Sequence, residues 1–261
     1  LEFKYLSGEG ERKMKLDKKR TEALISILKF LKNNEISTFA CKEGFVSTLS
    51  GGRESYILVN VKNIFGNETM ILKNIDKKIN VLNSFKKYME DDKEDLEIKF
   101  EDGNFFMEFG KTIIKENNSE FSIDDYYVNP KSIVSKLGIN SREDMNKYDY
   151  LYELDYVVLD LIDSLSRNFL NNVVNVRSSK SENVFICEMY QNEKEYVEKD
   201  NVIYFKIDNI DMEDSSNYFS KTVFTSFLEI IDKNDKIAMK FFKDKKFFVL
   251  NYDPINVFVK I

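Results

Sequence analysis

Apolar and polar positions alternate along this chain with two periods, and the switches between them divide it into helices and strands. From Lys18 to Asn33, Leu24, Ile27, Leu28 and Leu31 recur at helical spacing, with Asp17 placed as an N-cap. Period-two runs follow at Glu35–Cys41, Phe45–Leu49, Tyr56–Val61 and Thr69–Leu72, with turns at Gly44 and at Gly51-Gly52. A second helix is expected from Asp76 to Met89, carrying Ile79, Leu82, Phe85 and Met89 on one face. A hairpin then joins Leu96–Phe100 to Phe105–Phe109 through Asp102-Gly103-Asn104, and Thr112–Lys115 adds one more strand.

Residues 116 to 148 lack strong periodicity and hold Pro130, so they read as a connection between domains. The pattern then restarts. Tyr150–Leu154 is strand-like and Asp155 is an N-cap, and the next helix has Val158, Leu161, Ile162, Leu165 and Phe169 on one stripe. Strands are expected at Val173–Arg177, Val184–Tyr190, Glu195–Glu198 and Val202–Ile207. A helix from Ser220 to Asp232, a hairpin of Ile237–Phe242 and Phe247–Tyr252, and a strand Asn256–Ile261 complete the chain.

The two halves share one order: strand, helix, several strands, helix, hairpin, strand. Short matches fall in register. Asn83-Ser84-Phe85 answers to Thr225-Ser226-Phe227, Lys99-Phe100 to Lys240-Phe241, and Phe105-Phe106 to Phe247-Phe248, all about 141–142 residues apart. The expected fold class is α+β: two similar domains, each with two helices on antiparallel sheets. Residues 14–120 form the first, 121–148 the connector and 149–261 the second, while residues 1–13, which lack periodicity, lie outside the fold.

Composition narrows the chemistry. The 261 residues carry a net charge of −6, so contact with nucleic acid has to come from a local basic face. The chain has no histidine, which removes Ser-His and Cys-His nucleophiles, histidine metal sites and the commonest general base. A carboxylate-only nuclease stays open as a reading, but Glu90-Asp91-Asp92 with Glu94-Asp95 reads as a solvated turn, and no enzymatic activity is expected. Ser50-Gly51-Gly52-Arg53 lacks the Lys-Ser/Thr of a phosphate loop. Cys41 and Cys187 sit in apolar runs as core thiols, and neither a metal or other cofactor nor a membrane span is expected.

Opposite the apolar stripe, the first helix carries Lys18, Lys19, Ser26, Lys29 and Asn33, and the second Lys77, Asn80, Ser84 and Lys87. The corresponding faces in the second half are not basic: Asp160, Asp163, Arg167 and Asn171, then Thr222, Thr225, Glu229 and Lys233. Residues 14–120 balance 18 acidic against 18 basic groups, whereas 150–261 hold 19 against 14.

Met14-Lys15-Leu16, the helix Thr21–Asn33, the run Glu35–Val61 and the stretch Asp95–Gly110 fall in an order and spacing that resembles the sliding clamps of T-even-type bacteriophages. More distantly the chain resembles proliferating cell nuclear antigen. From Tyr148 to Ile261 the likeness rests on element order. The resemblance implies a homotrimeric ring around duplex DNA, without sequence preference, in the cytoplasm of an infected bacterial host. Its partners would be the replicative DNA polymerase, an ATP-driven clamp loader and late-transcription machinery.

On that reading Lys18, Lys19, Lys29, Lys77, Lys87 and Arg167 face the DNA. Partner peptides would enter beneath the connector beside Val257, Phe258 and Val259. The strand Thr112-Ile113-Ile114-Lys115 would pair with Glu195-Tyr196-Val197-Glu198 of a neighbour. A clamp-fold transcription or scaffold factor that binds polymerase without encircling DNA is the alternative.

Overall fold

The computed structural model describes residues 13–89, 95–101, 103–118, 120–138, 144–167, 173–190 and 202–261. Its first half runs β1 (Lys13–Leu16), α1 (Lys18–Asn33), β2 (Phe39–Lys42), β3 (Phe45–Leu49), β4 (Ser55–Asn60), a four-residue α2 (Lys62–Phe65), β5 (Met70–Leu72), α3 (Ile75–Lys86), β6 (Leu96–Glu101), β7 (Asn104–Phe109) and β8 (Thr112–Asn117). The connector holds α4 (Ile123–Tyr126), α5 (Pro130–Lys136) and one 3₁₀ turn. The second half runs β9 (Tyr150–Asp155), α6 (Tyr156–Ser166), β10 (Val173–Ser179), β11 (Val184–Tyr190), β12 (Val202–Asp208), β13 (Ser215–Ser220), α7 (Thr222–Thr225) with a 3₁₀ turn Ser226–Glu229, β14 (Lys236–Phe242), β15 (Phe247–Tyr252) and β16 (Ile255–Lys260).

The caps explain where the two main helices start. Asp17 accepts from Arg20 N at 2.7 Å and Asp155 from Val158 N at 2.9 Å, each satisfying an amide that the first helical turn leaves open. Helix α1 then buries Leu24, Ile25, Ile27, Leu28, Phe30 and Leu31 on one side. The turn from β2 to β3 depends on Gly44, at φ +78°, where a Cβ would stand 2.2 Å from Lys62 Cγ.

The strand pairing repeats as the element order does. The sheet β1-β6-β7-β8 of the first half recurs as β9-β14-β15-β16, and β5-β2-β3-β4 recurs as β12-β11-β10-β13 read from the other end. The second-half set β9-β14-β15-β16 is fused to the first-half set β5-β2-β3-β4. Strands β4 and β16 pair antiparallel, with Phe258 opposite Tyr56 and Val257 opposite Ile57, making one eight-stranded sheet. The helices bury their stripes against the sheets in one continuous core that spans both halves. Pleating sends Tyr56, Phe242, Phe247, Val249 and Phe258 to the opposite face of the central sheet, where connector residues cover them.

Several expectations need correction. Lys13 belongs to the fold, since it pairs with Lys99 in β1. The segment Ser215–Ser220 is a strand where none was expected, and the helix expected over Ser220–Asp232 is one α-turn followed by a 3₁₀ turn. On α6 the buried residues are Leu159, Ile162 and Ser166, whereas Leu161 and Leu165 of the expected stripe stay half-exposed. The expected strand Glu195–Glu198 and the acidic run 90–94 lie outside the described residues.

Candidate nucleic-acid interface and subunit edges

Four helical segments stand in a row beside the central sheet. Helices α1 and α3 run antiparallel, since Lys32 near the end of α1 pairs with Asp76 at the start of α3, and Glu22 near the start of α1 meets Lys86 at 3.4 Å. On its other flank α1 meets the turn after α7. Phe30 and Phe227 are edge to face at 5.1 Å, Asn34 Nδ2 donates to Ser226 Oγ at 2.9 Å, and Lys29 Nζ lies 3.1 Å from Glu229. Lys221 then ties α7 to α6 by donating to Ser166 Oγ at 2.8 Å.

This row sorts the expected DNA-facing residues. Lys18 and Lys19 on α1, Lys77 on α3 and Lys87 at the C-cap of α3 are exposed. Lys29 is half-buried and engaged with Glu229, which also accepts from Asn33 Nδ2 at 3.4 Å. Arg167 makes a two-nitrogen contact with Asp163 at 2.8 and 3.2 Å, and that carboxylate holds the guanidinium further toward its charged form. Asp160 beside it adds to the same effect. The exposed positive charge in the row therefore sits on its first-half helices.

Two sheet edges flank the row. Strand β8 ends the first-half sheet and β12 ends the second-half sheet. The expected Thr112–Lys115 edge thus lies on β8, extended to Asn117, with Thr112, Ile113 and Lys115 exposed and Ile114 half-buried. Next to β12, Val157, Leu161 and Leu165 form an exposed apolar stripe on α6, spaced four residues apart, and Tyr204 of β12 is 64% exposed. Leu161, Leu165, Met189, Tyr204, Phe205 and Phe224 line an apolar cavity of about 190 Å³ beneath this stripe. Sequence reading missed this surface because α6 carries more apolar residues than one face can hold, and nothing local says which remain uncovered.

The three residues expected at a partner pocket are split by the pleat. Val257 and Val259 point into the main core, and of the three only Phe258 faces the connector. Beside it Tyr56 donates to Ser47 Oγ at 2.9 Å, since the Ser47 proton goes to the Val128 carbonyl, and burial pushes the Tyr56 phenol up to about 12. Among the described residues no group of three or more Cys, Asp or Glu side chains could hold a metal, and both cysteines are buried with thiols pushed up by desolvation, Cys41 to about 12.

No family model and no curated protein sequence matches this chain. Solved structures do. A chain of the PCNA2–PCNA3 complex from Sulfolobus tokodaii superposes with a TM-score of 0.61 at 10% identity, over 95% of this chain and 98% of its own. The A. fulgidus PCNA bound to the C-terminal region of FEN-1 gives 0.58 at 13% identity, over 95% and 97%. The DNA polymerase III subunit beta from Borrelia burgdorferi gives 0.61 at 14% identity, covering 99% of this chain and 64% of that one. The chain therefore spans nearly the whole length of the PCNA chains and about two-thirds of the bacterial beta subunit. Its helices, sheets and their connection are those of an α+β protein with the sliding-clamp fold.

Proposed function

We propose that this chain is one subunit of a homotrimeric sliding clamp that encircles duplex DNA and tethers a DNA polymerase. One observation carries the reading: two of the edge strands, β8 and β12, match the two strands already joined inside the chain. By position in their sheets, β8 is the counterpart of β16, and β12 is the counterpart of β4. Since β16 and β4 pair within the chain, β8 of one copy has in β12 of the next a strand of the matching kind. Pairing of this head-to-tail type closes into a ring when the rotation returns on itself.

The internal seam also supplies a register. Carrying its pairing over puts Thr112 opposite Ile207, Ile113 opposite Lys206, Ile114 opposite Phe205, and Lys115 opposite Tyr204 of the neighbour. The half-buried Ile114 and Phe205 then share the core side, which a one-residue slip would forbid. Tyr88, 72% exposed, follows Phe85 as Ile230 follows Phe227, so in a neighbour it reaches the apolar stripe of α6.

In such a ring the helices line the hole, and Lys18, Lys19, Lys77 and Lys87 meet phosphates without reading bases. The partners drawn in are the polymerase, a clamp loader and late-transcription machinery, as the sequence resemblance implies. A solution mass near three times 30.8 kDa, with retention on circular but not linear DNA, is the expected result. A monomer at micromolar concentration would sink the ring. The second reading, a clamp-fold scaffold that does not encircle DNA, is favoured by Asp160, Asp163 and Glu229 on the second-half helices. Equal retention on circular and linear DNA by an intact trimer would select it.

A further inference from the structure

The outer face of the central sheet is apolar where the two halves join, yet it is not open. Phe242 and Phe247 stack at 4.6 Å, Tyr56 and Phe258 approach at 5.3 Å, and with Val249 all five are buried. Their cover is the connector, through Val128, Ile133, Leu137, Met145 and Tyr148, each of which is itself only partly buried. Its central piece is the seven-residue helix α5.

A helix that short has no stability of its own in water and stays where its contacts hold it. Ile133 and Leu137, one turn apart, are its anchors. The ends are clipped by polar groups. Val128 N donates to Ser47 O at 2.9 Å and Ser47 Oγ donates to Val128 O, while Lys245 Nζ donates to the Gly138 carbonyl at 2.7 Å. The arrangement is that of a short peptide seated in an aromatic groove: two apolar anchors in the middle and a carbonyl on a lysine at one end. Buried aromatic groups of this kind are what protein interfaces use as anchoring surface.

We propose that α5 is a resident, displaceable occupant of this groove, and that a partner peptide enters by exchanging for it. The resident helix describes the ligand. It is a short peptide with two aliphatic or aromatic side chains one helical turn apart and an oxygen, carbonyl or carboxylate, placed for Lys245. The groove is thus held shut by the chain itself, and a partner's apparent affinity is set by competition with the tethered helix. This inference rests on the partner-tethering half of the proposed function and is independent of ring closure.

The test uses the full chain and, as probe, a fluorescein-labelled peptide of its own residues 128–138. In the parent, α5 competes at an effective concentration in the millimolar range, so the probe binds weakly. Replacing both anchors, Ile133→Asp with Leu137→Asp, removes the competitor and leaves the groove intact. The probe Kd is expected to fall by at least ~10-fold, with cooperative melting retained. Ile133→Ala with Leu137→Ala moves the same way by less and carries the test if the Asp pair does not fold. A probe bearing Asp at both anchor positions is expected not to bind. Equal probe affinity for parent and variants, or loss of cooperative melting in both pairs, overturns the proposal and makes α5 a fixed part of the fold. Solution mass on the same samples keeps the two readings apart: a monomer that gains probe binding refutes the ring alone, and a trimer that gains none refutes the lid alone.

Discussion

Lys29 of α1 and Glu229 of the turn after α7 are 200 residues apart in sequence and 3.1 Å apart in space, so this lysine of the helix row is already paired within its own chain. The pair is partly solvated, with 43% and 33% of the two side chains exposed, so its worth to stability is small. Its main effect is on the charge that the row presents. Glu229→Gln is expected to leave the fold within about 1 kcal/mol of the parent in urea titration. It should strengthen duplex binding and steepen its salt dependence by about 0.9 in log K per decade of salt, one phosphate's share. An unchanged salt slope would show that Lys29 does not face DNA.

The exposed lysines carry the complementary test. Changing Lys18, Lys19, Lys77 and Lys87 to Glu is expected to leave folding and solution mass intact, since exposed-face substitutions cost within ~0.5 kcal/mol each. Polymerase stimulation on primed circular DNA should fall sharply. Full stimulation by this variant would make these lysines ordinary solvated residues and favour the scaffold reading.

The seam register can be trapped covalently. Lys115→Cys with Tyr204→Cys places two thiols directly opposite across the proposed boundary, where facing Cβ atoms are about 4.5–5.5 Å apart. Mild oxidation should give a covalent trimer on a non-reducing gel. Ile114→Cys with Tyr204→Cys puts the thiols on opposite faces and should stay monomeric on that gel. The reverse outcome would place the strands one residue out of the inferred register.

Lys78 is 4% exposed and reaches the edge strand, pairing with Glu116 of β8 and donating to the Lys73 carbonyl. Burial pushes its ammonium below the ordinary lysine value of 10.5, and Glu116 only partly restores it. The unfolded chain thus holds this proton more tightly than the folded one. Stability attributable to Lys78 therefore rises with pH between its folded value and 10.5 and is flat below that window. In urea titrations the parent should gain on Lys78→Met as pH climbs toward 10.5. Removing the partner alone, Glu116→Ala, strands a buried charge and should cost about 3 kcal/mol at pH 7, the lower end for a broken buried pair because Glu116 keeps some contact with water.

Much of this architecture is legible in local pattern. Asp17 and Asp155 stand as helix caps, the β6–β7 and β14–β15 hairpins fall where expected, and the doubled element order is visible before any pairing is known. What stayed hidden has physical causes. Strand β13 is polar at most positions, with Phe219 its one fully buried side chain, so its signal comes from the neighbour β10 rather than from itself. The fusion of β4 with β16 joins segments about 200 residues apart and leaves no local trace. Val257-Phe258-Val259 looks like one apolar unit in sequence, but the pleat assigns its members to two different cores. The engagement of Lys29 was unreadable for the same reason, since helical periodicity places a lysine on a face and says nothing of what stands opposite.

If copies join through β8 and β12 as proposed, the two strands at each seam differ in kind, and this inequality dictates how copies add. A two-fold dimer would instead pair an edge with its own copy and leave the proposed β8–β12 seam unmade. Every open assembly built on that seam, whatever its length, would still carry one donor end and one acceptor end, and growth would stop only when those ends met on the same particle. Stoichiometry is then set by the angle between successive copies rather than by the strength of any contact. A substitution that bends that angle without weakening the seam would turn a closed particle into a filament.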